Sequence, residues 1–164
     1  MVIPDEYVKL RKACPTVEVA FGCGGIYLFP LEELAEGQLG YSVAPDGTSL
    51  EGDREGDWRS SWLAIGYETA LGDPIFSDTS ELALPVYTAM HGEGPWRPQQ
   101  IALSFESFLN ALAEFSRISV GRTCPIDLEA NPLDERSRAD FLRMISSLNE
   151  NRLDCDFWGA LVPE

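Results

Sequence analysis

"WLAIGYETALGDPIFSD", residues 62–78, decides the fold. Trp62–Glu68 is a short apolar run of strand type, Gly72-Asp73-Pro74 has the composition of a turn, and Pro74–Asp78 is a second apolar step. In such a turn Gly tolerates positive φ, Asp bonds a nearby backbone amide, and Pro gives up a donor as it starts the next strand. Asp73 and Asp78 have a rival reading as metal ligands or catalytic carboxylates. A calcium-type loop sets further oxygen ligands at short fixed steps, and the intervening Ile75 and Phe76 supply none. Asp78, followed by Thr79-Ser80, suits a turn or cap in the same way. The expected structure is therefore an antiparallel hairpin.

Working outward, Val17, Val19 and Phe21 alternate with smaller or polar residues, and Ile26 to Phe29 form another apolar run, so two strands are expected across the turn "GCGG" at 22–25. "LPVYTAMH" (84–91) and "QIALSF" (100–105) add strands, and "LGYSVA" (39–44) is a possible further one. "PDEYVKLRKA" (4–13) predicts a first helix, with acids at its positive end and bases at its negative end. "PLEELAEG" (30–37) predicts one or two helical turns stopped by Gly37. The clearest periodicity is "SFESFLNALAEFSRI" (104–118), in which Ser104 caps a helix and Phe105, Phe108, Leu109, Leu112 and Phe115 share one apolar face. "NPLDERSRADFLRMISSLNE" (131–150) predicts a later helix capped by Asn131 with Pro132 in its first position, and the apolar tail 155–164 is expected to dock. Strands in the middle and helices at the ends imply an α+β single domain over residues 1–164, a mainly antiparallel central sheet packed by N-terminal and C-terminal helices.

With 164 residues, 45% of them hydrophobic, the chain can bury one good core but not two. Its 27 acidic and 12 basic residues leave a formal charge of -15, which argues against direct binding to nucleic acid and favours a basic partner or simply solubility. The longest apolar region, residues 20–31, is broken by Gly and Pro and falls short of a membrane span, and the charged start lacks a signal-peptide core, so a cytoplasmic protein without membrane contact is expected. Cys14, Cys23, Cys124 and Cys155 are widely spaced and expected to be free, mostly buried thiols rather than zinc ligands or disulfides.

Candidate chemistry is sparse. "GCGG" lacks the Lys-Ser/Thr of a phosphate-binding loop, and no long helix follows it. His91, the one histidine, has no Ser or Cys in a nucleophile setting; a small hydrolase using it with Asp73 or Glu93 is the weakest of the functional readings. No catalytic residue, metal or cofactor is assigned. Residues 45–58, with five acids in fourteen positions and Arg54 as the one base, are expected to form a solvated loop. Trp62, leading a strand, reads as core, whereas Trp58 and Trp96 are divided between core and interface. Asp46, Glu51, Asp53, Glu55 and Asp57, with Trp58 and Trp96, are the expected partner-binding residues.

In order along the chain, "IPDEYVKL", "GGIYLFPLEEL", "WLAIGYETALGDPIFSD", "LPVYTAMH" and "IALSFESFLNAL" resemble the successive signature segments of the SUKH superfamily, which includes bacterial toxin-immunity proteins and yeast cell-wall regulators of the Smi/Knr type. The similarity spans about residues 3–115 and leaves 116–164 as a C-terminal helical extension. The resemblance implies a compact α+β binding module without catalysis, often one that neutralises a toxin, many of these being nucleases. It places Gly66, Gly72 and Asp73 on the family's central motif and Ser104, Phe105, Phe108 and Leu109 on its late helix, in structural roles. The chain departs from the family in a shorter first helix and in an acidic insertion at 45–57. A basic toxin domain is the expected partner; a regulatory or scaffold module bound to a cellular partner is the alternative.

Overall fold

The hairpin expected at 62–78 is present in the computed structural model, which describes residues 3–92 and 94–163. Among these residues six strands, β1 (Glu18–Phe21), β2 (Gly24–Leu28), β3 (Trp62–Glu68), β4 (Pro74–Asp78), β5 (Val86–Thr88) and β6 (Gln99–Ala102), form one antiparallel sheet in sequence order. The helices are α1 (Asp5–Ala13), α2 (Phe105–Ser119), α3 (Pro125–Ala130), α4 (Glu135–Leu148) and α5 (Asp156–Leu161). The architecture is the α+β domain read from the sequence, with N- and C-terminal helices flanking the sheet.

Turn chemistry accounts for both aspartates. Gly72 adopts φ +81°, open only to residues that tolerate the left-handed region. Asp73 accepts the His91 backbone amide at 2.7 Å, tying the β3–β4 turn to the β5–β6 loop, and Asp78 accepts the amide and hydroxyl of Ser80 at 2.9 and 2.6 Å. Gly66 sits at a bulge where the β3–β4 register shifts. A Cβ there would lie 2.1 Å from the Tyr27 carbonyl oxygen, so only glycine lets β2 approach this closely.

Strand alternation gives the sheet two different faces. Val19, Phe21, Ile26, Leu28, Leu63, Ile75 and Val86, all buried, share the face toward α2. Ser104 caps that helix in a reciprocal capping box with Ser107, while Phe105 and Phe108 are fully buried and Leu109 nearly so. Tyr7 of α1 stacks on Phe105 with centroids 4.6 Å apart, and Trp158 of α5 lies 5.8 Å from Phe108 and 6.3 Å from Phe115. The tail therefore docks as expected, and Trp158 is its anchor. Asn149 at the end of α4 is buried and fastens this layer, accepting the Leu103 amide at 2.9 Å.

The other face carries Tyr27, Trp62, Tyr67, Phe76 and Tyr87, and the long connection between β2 and β3 folds over it. Here the sequence expectations need correction. Residues 30–37 form turns and a 3-10 segment at Glu36–Gln38 rather than an α-helix, and 39–44 make isolated bridges rather than a strand. Gln38 explains both: its buried amide donates to the carbonyls of Leu34 and Ala64 and accepts the Ala64 amide, at 2.8, 2.8 and 3.0 Å. β2 ends opposite Gly66, so the Gln38 side chain takes up the Ala64 backbone groups that lie beyond it. The late helix begins at Glu135 with Asp134 as its cap, and Asn131 instead closes the short helix α3, which starts at Pro125. Asp134 outcompetes Asn131 because its carboxylate meets both the amide and the hydroxyl of Ser137, at 2.8 and 2.7 Å. All four cysteines are free, but none is fully buried, and Cys23 is exposed at the tip of the β1–β2 turn.

Two substitutions test this layering by urea unfolding. Phe108→Ala is expected to cost about 3–5 kcal/mol, as for a buried aromatic cut to Ala. Gln38→Ala, which strands a buried amide and carbonyl, is expected to cost about 2–4 kcal/mol, and a loss under about 1 kcal/mol would mean that water replaces the side chain.

Candidate functional site

The acidic segment 45–58 is folded back on itself rather than solvated throughout. Asp46 accepts the amide and hydroxyl of Thr48 at 3.0 and 2.7 Å, and these bonds hold its carboxyl below the usual range. Asp57 accepts the Arg54 amide at 2.9 Å, and Gly52 donates to the Trp58 carbonyl at 3.0 Å. These bonds close the loop onto Trp58, whose indole is 1% exposed. Its ring lies 4.9 Å from Phe76, 5.3 Å from Tyr41, 5.4 Å from Trp96 and 5.6 Å from Trp62, and its Nε1 donates to the Trp62 carbonyl at 3.0 Å.

This overturns the expectation that Trp58 is a surface anchor. It is the centre of the aromatic layer, and the two neighbours that it props up are the ones that reach solvent. Trp62, read from the sequence as core, is half-buried, as is Trp96. Both line a groove of about 460 Å³ together with Glu55, Asp57, Arg59 and Arg97. Of the expected contact residues, the structure brings Glu55, Asp57 and Trp96 into this groove, leaves Glu51 and Asp53 exposed on the same loop, and spends Asp46 on a turn. Trp62 was missed as a groove residue because a Trp that leads a strand next to an apolar run gives no sign of which face stays uncovered.

A second concavity lies on the same sheet face. Tyr27, Phe29, Tyr41 and Tyr67 line an open pocket of about 380 Å³ edged by Glu33 and Glu36. The Tyr27 phenol donates to Glu33 at 3.0 Å, and this bond to a carboxylate raises its pKa, so it remains a neutral donor. Tyr41 stacks on Trp58 and meets Trp96 at 6.0 Å, which links this pocket to the tryptophan groove.

A more enclosed cleft of about 440 Å³ opens between the β3–β4 turn, the β5–β6 loop and α5. Its walls are largely apolar, with Leu71 and Met90 exposed at the lip. The carboxylate in its wall, Glu68, is taken by the turn, accepting the amides of Ala70 and Leu71 at 2.6 and 2.8 Å. Asp73 is likewise engaged with the His91 backbone. His91 is exposed with its ring 6.4 Å from Trp96, and Glu93, named with it in the hydrolase reading, lies outside the described residues. Among the described residues no group of three or more His, Cys, Asp or Glu side chains is placed to hold a metal, and no helix is long and apolar enough to cross a membrane. The motif residues Gly66, Gly72, Asp73, Ser104, Phe105, Phe108 and Leu109 all serve the bulge, the turn and the helical core.

No family model, curated protein or solved structure matches the chain.

The two tryptophans should separate in a stability measurement. Trp58→Ala is expected to cost about 3–5 kcal/mol in urea unfolding, while Trp96→Ala, at a partly exposed position, is expected to cost about 1–2 kcal/mol. Equal losses would make Trp96 part of the core and close the groove as a recognition surface.

Proposed function

We propose that this protein is a non-catalytic binding module that neutralises a basic toxin domain, the role implied by its resemblance to SUKH immunity proteins. The observation that carries the reading is the groove in which the half-exposed Trp62 and Trp96 lie beside Glu55 and Asp57, with Glu51 and Asp53 projecting from the same loop. Aromatic residues that are already packed lose little freedom on docking and make good anchors. Arg59 and Arg97 in the same groove interrupt the negative charge and supply register, since a partner must place acceptors as well as cations.

The formal charge of -15 adds long-range attraction to any basic surface. A domain that binds a phosphate backbone presents such a surface, so an acidic inhibitor competes with nucleic acid for it. The groove and the charge thus act at different distances: the carboxylates govern encounter, and the tryptophans govern residence.

Capture of the partner from the native cell, identification by mass spectrometry and surface plasmon resonance at two salt concentrations test the reading. A basic toxin domain is the expected partner, and co-production with this protein should relieve its toxicity. Converting Glu51, Asp53 and Glu55 to their amides is expected to slow association by about ten-fold at low ionic strength, with little effect near 1 M salt, where the Debye length is about 3 Å. Trp96→Ala is expected to speed dissociation at either salt. A regulatory protein without toxicity as the specific partner would sink the immunity reading, and unchanged kinetics in both variants would remove this groove from the interface.

A further inference from the structure

The tyrosine pocket differs from the tryptophan groove in one respect that bears on its ligand. Glu33 and Glu36 edge it, and no lysine or arginine lines it, whereas the neighbouring groove contains Arg59 and Arg97. Its walls are π faces and edges. Tyr27 and Tyr67 are cross-strand partners stacked 5.2 Å apart, with Phe29 closing the corner at 6.1 and 5.9 Å from them. Both tyrosines are half-buried, so their rings are fixed by packing yet reachable. The Tyr27 phenol holds the Glu33 carboxylate against this wall at 3.0 Å. Negative ring faces and two carboxylates without a basic neighbour make a site for a cation.

The shape selects among cations. The pocket is open, about 380 Å³, and walled by flat rings with a carboxylate at the edge. A guanidinium stacks by its plane on an aromatic wall while its N–H fork pairs with a carboxylate; an ammonium is a compact, strongly hydrated point charge that does neither as well. A small quaternary ammonium would need rings on several sides, and here one side is solvent.

We propose that this pocket receives an arginine side chain from a basic protein partner, its guanidinium lying against Tyr27 and Tyr67 and paired with Glu33 and Glu36. The assignment deepens the binding-module reading and rests on it for its biological meaning. Tyr41 belongs both to this pocket and to the aromatic cluster around Trp58 and Trp96, so one partner surface can fill the pocket with an arginine and cover the groove together. The tyrosine pocket then supplies a specificity contact that diffuse charge does not: a lysine in the same place of the partner would be accepted less well.

The test uses the full-length protein and a blocked glycyl-arginyl-glycine peptide, followed by NMR of the tyrosine ring resonances. The arginine peptide is expected to give saturable shifts centred on Tyr27 and Tyr67, with a dissociation constant on the order of 1 mM. Its lysine analogue should bind about two- to five-fold more weakly, in keeping with the modest strength of exposed cation–π contacts, and the neutral citrulline analogue should give no saturable shifts. The double variant E33Q/E36Q, whose exposed positions leave folding intact, is expected to weaken the arginine peptide by about five-fold or more. Shifts scattered over the acidic surface, or equal binding of the citrulline peptide, would overturn the assignment. The outcome is independent of the toxin experiment: a failed peptide titration with intact salt-dependent partner association removes the pocket alone, while a saturating titration with no basic partner found in the cell leaves the pocket and removes the immunity reading.

Discussion

The Gln38 side chain, bonded to both backbone groups of Ala64, is the contact on which the candidate binding face depends. β2 stops opposite Gly66, and without a partner the next part of β3 would bury a free amide and carbonyl, each costly to strand. One side-chain amide supplies a donor and an acceptor at the spacing a strand would have given. That bond fixes the chain between residues 29 and 61 over the sheet, and once it is held there Tyr41 and Trp58 close on Phe76 and Trp62. The groove, the tyrosine pocket and the acidic loop all belong to the segment that Gln38 moors or to the sheet face beneath it.

The two faces of the sheet are built for different ends. Toward α2 the side chains are mostly aliphatic or phenyl and almost all buried, which is the arrangement that gives most stability per residue. Toward the long connection they are mainly tyrosine and tryptophan, with Phe76 among them, at ring distances of 4.9–6.1 Å and with several edges in solvent. Such residues tolerate half-burial, because one end is apolar and the other can bond to water or to a neighbour. On the proposed reading, a face that is packed yet incompletely covered suits binding, because its ordering cost is met in folding.

Local chemistry was legible where the signal lay within a few residues. The hairpin at 62–78, the Ser104 cap and the Phe105 to Phe115 stripe could be read directly, because turn composition and helical period are short-range properties. The start of α4 was misplaced, since Asn131-Pro132 and Asp134 both have cap chemistry and only the approach of Ser137 decides between them. The aromatic face was legible only in Trp96. Residues 45–58 carry the composition of a solvated loop, and nothing within that window reveals that Trp58 is buried against Phe76, eighteen positions away in sequence. Tyr27 and Tyr67 likewise meet only through register, forty residues apart. The candidate site was thus half visible: its charges and Trp96 showed in the sequence, and the rest of its aromatic walls did not.

Two groups stand out among the acidic residues. Glu68, Asp73, Asp78 and Asp134 accept backbone amides, and for these residues negative charge is a means of satisfying donors in turns and caps. Glu33, Glu36, Glu51, Asp53 and Glu55 are exposed on the segment that covers the aromatic face. With a formal charge of -15 on 164 residues, mutual repulsion opposes the compact state, so this second group is retained at a cost to stability. On the proposed reading, a basic surface docking over this segment relieves part of that repulsion. Salt screens the repulsion that strains the free protein, and on the proposed reading it screens the attraction to a basic partner as well. On that reading, the charge that burdens the isolated fold is the same charge that would favour a complex with a basic partner.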